Sequence, residues 1–338
     1  MKVAYWYNNK DIRIKKVPTP KPKRKEMLVK VISCGICGSD IVEWYRLPRA
    51  PLVQGHEIGA QVLAVGNDVK KYKPGDRVFI APKVPCMKCY YCENGHFPQC
   101  SEVKERLPGG FAEYILVPEI LIKNGTYPLP ESITFDQSTF IEPLACVVRA
   151  QRLAGVKKGQ SVLVIGCGMS GLLNVKLART KGCRIIAADI NKTKLEFASR
   201  MGADITINAA DNNISEKLIA ETGKKADVVF LCASADSAVE QAWKCVDKGG
   251  VIVLFAVPAP DKKVIVPVND FWMKEITILT SYYCGPPDII EAMKLIEWRN
   301  IVVDDLITHR LPLTDIVKGF QLVVDGRESI KVIMKPNE

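Results

Sequence analysis

A chain of 338 residues is long enough for about two domains and a sizeable buried core. Hydrophobic residues make up 48% and charged residues 25%, which is ordinary globular usage and excludes a disordered or fibrous protein. The net charge is +10, and twelve cysteines stand beside three histidines, too sparse for a disulfide-stapled scaffold, so cysteine spacing carries the information.

The start, Met1 to Trp6, lacks the apolar core of a secretory signal. No run approaches the ~18 apolar residues of a membrane span. A cytoplasmic, reducing location is expected, where clustered cysteines bind metal or do chemistry more often than they form disulfides. Between Lys10 and Lys30, nine basic residues are opposed only by Asp11 and Glu26, so that segment carries +7 and the rest of the chain +3. Broken by Pro18, Pro20 and Pro22 and without interleaved aromatics, it reads as a solvated strand-and-turn surface rather than a nucleic-acid patch.

Residues 1 to about 140 hold short strand-like runs such as Met27–Ile32 and Arg77–Ile80, with turns such as Pro74-Gly75-Asp76, and predict a mostly β domain. From about 160 the rhythm changes. Strands are expected at Val162–Ile165, Arg184–Ala188, Asp227–Leu231 and Val251–Val257. Helices are expected at Ser170–Lys181, Lys192–Met201 and Ala235–Asp247. Such alternation predicts a parallel sheet covered by helices on both faces. From His309 to Pro336 short strands return around one helix, Asp315–Val324.

Gly166-Cys167-Gly168-Met169-Ser170-Gly171 follows a predicted strand and opens a predicted helix, and Asp189 ends the next strand. That is the full context of a dinucleotide site. The glycines allow a tight turn and close approach to a pyrophosphate at a helix N-terminus. Asp189 can accept from both ribose hydroxyls and would repel a 2′-phosphate, which favours NAD over NADP. Lys192 and Lys194 lie close enough to soften that preference.

Cys86-x-x-Cys89-x-x-Cys92-x7-Cys100 offers four thiolates, a set that suits tetrahedral structural zinc with no open position. A second set is dispersed: Cys37 within Cys37-Gly38-Ser39-Asp40, His56 and Glu57 after Gly55, and Glu142 before Pro143. A thiolate, an imidazole and a carboxylate together would leave zinc one open position.

In order and spacing, several stretches resemble the zinc-dependent medium-chain alcohol dehydrogenases over essentially the full length. They are Gly35–Asp40, Gly55-His56-Glu57-x-x-Gly, Gly75–Val78, the four-cysteine lobe, Gly109–Tyr114, Glu142-Pro143 and the glycine turn. Glu142, where other alcohol dehydrogenases place a cysteine, resembles the sorbitol and threonine dehydrogenase branch. The resemblance implies an α/β protein: a GroES-like, mostly-β catalytic domain (1–147 and 286–338) and a Rossmann doubly wound parallel-sheet cofactor domain (148–285). It implies catalytic zinc on Cys37 and His56, with Glu57 and Glu142 competing for the third position, and Asp40 orienting His56. It implies NAD held by Gly166, Gly168, Met169, Ser170, Gly171, Asp189 and Lys194.

The chemistry so implied is oxidation of a secondary alcohol (a polyol, inositol, sugar acid or hydroxy amino acid), with zinc as Lewis acid and nicotinamide as hydride acceptor. Ser39 passes the proton toward solvent through the cofactor ribose. Ser39, Trp44, Tyr45 and Phe111 are candidate substrate contacts. Val42 stands where relatives of this branch carry a relay histidine. The eight residues between Cys100 and Gly109 are fewer than usual in the family, which predicts a trimmed cleft wall. Ile276–Leu279 resembles the family's subunit-pairing strand, so a homo-oligomer, tetramer or dimer, is expected, and the turn Cys284–Pro287 is expected to return the chain to the catalytic domain. No nucleic-acid or membrane partner is expected. Two other readings exist: a reductase of a ketone or acyl thioester on the same scaffold, and a zinc-ribbon nucleic-acid binder, which leaves the glycine turn and Asp189 without a role.

Overall fold

The computed structural model describes residues 1–102, 106–211 and 213–338. In chain order the strands are β1 (Lys2–Asn8), β2 (Asp11–Lys16), β3 (Met27–Gly35), β4 (Leu52–Val53), β5 (Glu57–Val65), β6 (Arg77–Ile80), β7 (Tyr114–Val117), β8 (Thr126–Pro128), β9 (Ser161–Ile165), β10 (Arg184–Asp189), β11 (Ile205–Asn208), β12 (Ala226–Leu231), β13 (Val246–Leu254), β14 (Thr277–Thr280), β15 (Ile307–Pro312) and β16 (Lys331–Lys335). The chain forms two units, Met1–Ala145 with Cys284–Glu338, and Cys146–Tyr283.

The first unit is built on a seven-stranded sheet in the order β15-β16-β3-β5-β6-β8, with β7 also on β3, and a smaller sheet β2-β1-β4. β3 alternates only weakly, because most of its residues are buried. Trp6 on β1 is buried whole, and its indole N–H is satisfied by Asn9 Oδ1 at 3.1 Å. The basic hairpin does meet aromatics: Tyr5 pairs across from Arg13, the Arg13 guanidinium lies 4.5 Å over the Tyr7 ring, and the Lys15 ammonium lies 5.0 Å over Tyr5. These rings are covered by the chain's own cations. The sequence pattern hid this because Tyr5 and Tyr7 lie outside the basic segment.

The second unit holds a six-stranded sheet in the order β11-β10-β9-β12-β13-β14, parallel throughout. Counted from β9, this is the 3-2-1-4-5-6 order of a Rossmann fold. β9 is buried at every residue, as a parallel strand covered on both faces must be. Helices Met169–Thr180, Lys192–Arg200 and Asp236–Cys245 connect the strands. The fold is thus α/β: a GroES-like unit and a Rossmann unit.

Two expected elements differ. The strand expected from Val251 begins at Val246, because the pairing with β12 slips around Gly249, at φ +68°. The turn expected at Cys284–Pro287 is the start of helix Pro286–Glu297. Its two prolines occupy the first turn, where a missing N–H costs nothing. The trimmed segment between Cys100 and Gly109 includes 103–105, which lie outside the described residues. Among the described residues, no helix is long and apolar enough to cross a membrane.

Candidate active site and metal centres

The first metal group is positioned by one strand register. Gly35 at the end of β3 pairs with Glu57 at the start of β5. Cys37 follows β3 by two residues and His56 precedes β5 by one, so this antiparallel pair brings all three ligands together. One atom each from Cys37, His56 and Glu57 lie within 4.8 Å of one another. Gly55 holds φ +93°, a conformation that suits glycine, and a Cβ there would meet Cys34 Sγ at 2.8 Å.

Local hydrogen bonds orient each ligand. Cys37 caps the turn Gly38–Ile41: its sulfur accepts from Ser39 N at 3.4 Å, and Asp40 Oδ2 accepts from Cys37 N at 3.1 Å. Asp40 Oδ1 lies 3.3 Å from His56 Nδ1, which leaves Nε2 for a metal. Asp40 is fully buried, and burial opposes its charge. His56, the Arg46 guanidinium and the Cys37 N–H outweigh that opposition and hold its carboxyl below the usual range. For His56 too, burial opposes the charge, but Asp40 and Cys37 raise its proton affinity well above the ordinary value.

Glu57 is fully buried. Its Oε2 accepts from the buried Lys331 ammonium at 2.5 Å, and Lys331 also donates to Thr139 O at 3.2 Å. Gly35 makes room for this pair, since a Cβ there would collide with Glu57 Oε2. Among the described residues, Glu57 Oε1 has no hydrogen-bond partner. A buried carboxylate oxygen without a partner, beside a thiolate and an imidazole, fits a zinc ion as third ligand. Glu142 is not in this group. It starts helix Ile141–Leu153 and lies within 4.8 Å of Cys284 Sγ.

Among the candidate substrate contacts, Ser39 and Tyr45 are half-buried and Trp44 is exposed. Phe111 is a correction: it is 1% exposed and stacks edge-on against Phe320 at 5.8 Å, so it packs the core instead of walling a cleft. Sequence reasoning missed Lys331 and Arg46.

The second group is Cys86, Cys89, Cys92 and Cys100, again within 4.8 Å. The recorded Sγ···Sγ separations are 3.5 and 3.9 Å. A tetrahedron with Zn–S near 2.3 Å has edges of about 3.8 Å, so the four sulfurs fit that ion. Donation from the Cys92 backbone lowers the Cys89 thiol to about 6, while burial raises Cys92 to about 12.

In the second unit the glycine turn leaves β9 through Gly166 at φ +94°. The turn's glycines serve different needs. A Cβ on Gly171 would collide with Gly166 O, whereas one on Gly168 would meet nothing within 4 Å. That open backbone leads into helix Met169–Thr180, whose first-turn N–H groups at Met169 and Ser170 have no carbonyl one turn back. Asp189 Oδ2 accepts from Cys167 N at 2.7 Å and Oδ1 from Asn191 N at 2.8 Å, and each oxygen keeps a lone pair for a ribose hydroxyl. Asn191 caps the helix that carries Lys194, which is half-buried. The cradle fits a nicotinamide dinucleotide.

Known proteins agree with this architecture. Residues 23–131 match the alcohol dehydrogenase GroES-like domain and residues 171–298 match the zinc-binding dehydrogenase family. The chain belongs to the zinc-type medium-chain alcohol dehydrogenases, on their sorbitol dehydrogenase-like branch. It is an oxidoreductase of alcohols that uses zinc and a nicotinamide cofactor. It is 31% identical to an erythritol/L-threitol dehydrogenase of Mycolicibacterium smegmatis, across 99% of this chain and 98% of the relative. It is 30% identical to the sorbitol dehydrogenase of Gallus gallus, across 96% and 93%. A Sinorhizobium meliloti 1021 protein described as a zinc-binding dehydrogenase, bound to NADP, superposes with a TM-score of 0.88 at 28% identity, across 99% of both chains.

Proposed function

We propose that the protein oxidises a secondary alcohol of the polyol type to the ketone with NAD. Cys37, His56 and Glu57 hold the catalytic zinc, and Cys86, Cys89, Cys92 and Cys100 hold a structural one. The observation that carries this reading is the gathering of Cys37, His56 and Glu57 within 4.8 Å, with Glu57 keeping one buried oxygen, Oε1, that no described group satisfies. When bound, zinc supplies Lewis acidity to the substrate hydroxyl, and the nicotinamide accepts the hydride. Asp40 holds the His56 ring in the tautomer that frees Nε2, and Ser39 Oγ receives the hydroxyl proton as its own O–H proton leaves toward solvent. Trp44 and Tyr45 are substrate contacts. Glu142, which lies beside Cys284, is an alternative ligand that would have to move to reach zinc.

The first unit is the zinc-bearing catalytic domain and the second is the NAD-binding domain. Polyol chemistry is supported by the sorbitol and erythritol/L-threitol enzymes among the relatives. Asp189, free to accept from both ribose hydroxyls, supports NAD. The unit Cys146–Tyr283 exposes Val268 and Trp272 at a 520 Å³ groove shared with Val266, Phe271, Glu275 and Ile278 of β14, and it also exposes Ile265 and Met273. An apolar patch next to a sheet edge supports a homo-oligomer in which β14 meets a second copy. Twelve cysteines, none of them in a disulfide, support a cytoplasmic home.

The test joins elemental analysis to a screen of polyols, inositols, sugar acids and hydroxy amino acids with NAD and NADP. About two zinc ions per chain are expected, falling to about one in Cys37→Ala, with NADH formed from a polyol. Zinc content unchanged in Cys37→Ala would overturn the catalytic site.

A further inference from the structure

Arg46 ends the short helix Glu43–Arg46, and its side chain is 12% exposed. Its guanidinium turns inward, lies 5.0 Å over the Tyr45 ring and makes three hydrogen bonds. Nε donates to Ser39 O at 3.0 Å, and Nη2 donates to Ser39 Oγ at 3.0 Å and to Asp40 Oδ1 at 3.1 Å. The same Asp40 oxygen lies 3.3 Å from His56 Nδ1. One planar group therefore ties Ser39 at both its carbonyl and its hydroxyl to the carboxylate that holds His56.

The direction of these bonds follows from chemistry. A guanidinium has five donors and no acceptor, and it keeps its proton in proteins. Ser39 Oγ must therefore accept from Arg46, and its own proton points elsewhere. A hydroxyl has two lone pairs and one O–H. With Arg46 on one lone pair, one lone pair and the O–H remain, which is what a group needs to receive a proton on one side and release one on the other. Val42 supplies no imidazole to orient the hydroxyl from the next turn. Arg46 cannot itself accept the proton, so beside its charge on Asp40, what it gives Ser39 is direction.

We propose that Arg46 is the positioning residue for the proton step, fixing the polarity of the Ser39 hydroxyl from a seat on Asp40. The proposal rests on the proton role given to Ser39 above. Loss of a fixed hydroxyl direction in an otherwise intact site is expected to slow turnover by about tenfold to a hundredfold. Cofactor KM should not change.

The experiment is a double-mutant cycle on the zinc-loaded enzyme, with Arg46→Gln, Ser39→Ala and the pair, measured with the best alcohol from the screen. Zinc content, melting temperature and cofactor KM are followed in each variant. Arg46→Gln should keep zinc and cofactor KM, lose kcat, and regain part of it when guanidinium ion is added at concentrations the parent tolerates. In the Ser39→Ala background the same change should add little. An equal loss in both backgrounds, or loss of zinc from Arg46→Gln, would overturn the proposal by showing that Arg46 works through the fold or the metal. Full turnover in Ser39→Ala would instead overturn the proton role of Ser39, and this proposal with it.

Discussion

Lys331 and Glu57 form an ion pair with no solvent exposure on either side chain. Removing one partner of such a pair strands the other charge in a low dielectric, at a cost of about 3–5 kcal/mol. Lys331→Met keeps the length and packing of the stem against Phe140, whose ring centre lies 4.9 Å from the ammonium, but removes the charge. Glu57 Oε2 then joins Oε1 as a buried oxygen without a partner. In a unit of 200 residues, at 2–4 °C per kcal/mol, the metal-stripped protein should unfold about 6–20 °C lower. Scanning calorimetry in chelator reads this directly. Glu57→Gln removes the stranded charge, so Lys331→Met with Glu57→Gln should be less destabilised than the sum of the two single changes. A loss below about 1 kcal/mol in Lys331→Met, or strict additivity, would refute the claim that Lys331 offsets a buried charge on Glu57.

Other outcomes follow from single contacts. Asp189→Asn removes the charge facing the ribose, and at about 1.5–3 kcal/mol for a charged hydrogen bond the preference for NAD over NADP in kcat/KM should fall about tenfold or more. Steady-state kinetics with both cofactors checks it. Asp136 is opposed by burial, but Ser33 Oγ at 2.6 Å, Lys335 at 2.9 Å and Arg310 at 2.6 Å hold its carboxyl below the ordinary value. Its contribution is therefore full above the unfolded carboxyl range and is lost as pH falls through the lower folded value. Urea midpoints against pH should drop less steeply on the acid side in Asp136→Asn. Trp272, 80% exposed beside β14, becomes charged in Trp272→Glu. Light scattering should then report a monomer, and an unchanged assembly would move the interface elsewhere.

Features that depend on neighbours in the chain are legible in the sequence itself. The four cysteines lie within 15 residues. The glycine turn carries its strand and helix with it, and β9 announces its burial through the apolar run Val162–Ile165. Features set by register or topology are not legible in this way. Spacing leaves Glu57 and Glu142 as equals, and only the pairing of Gly35 with Glu57 places one of them beside Cys37 and His56. Phe111 sits in a family motif, yet the core claims it through Phe320, which is distant in sequence.

The two cations at the site show the same limit most clearly. Lys331 is 274 residues from Glu57 and reaches it because β16 pairs with β3. Arg46 belongs to no motif in the sequence, and only its fold back onto Asp40 and Ser39 gives it meaning. Each buried carboxylate at the site thus has a cation from outside the metal motifs. A motif contains the groups that touch the metal, because their spacing is constrained by the ion. The groups that pair with those carboxylates in a dry interior are constrained only by reach, so any strand or turn that comes near enough can supply them.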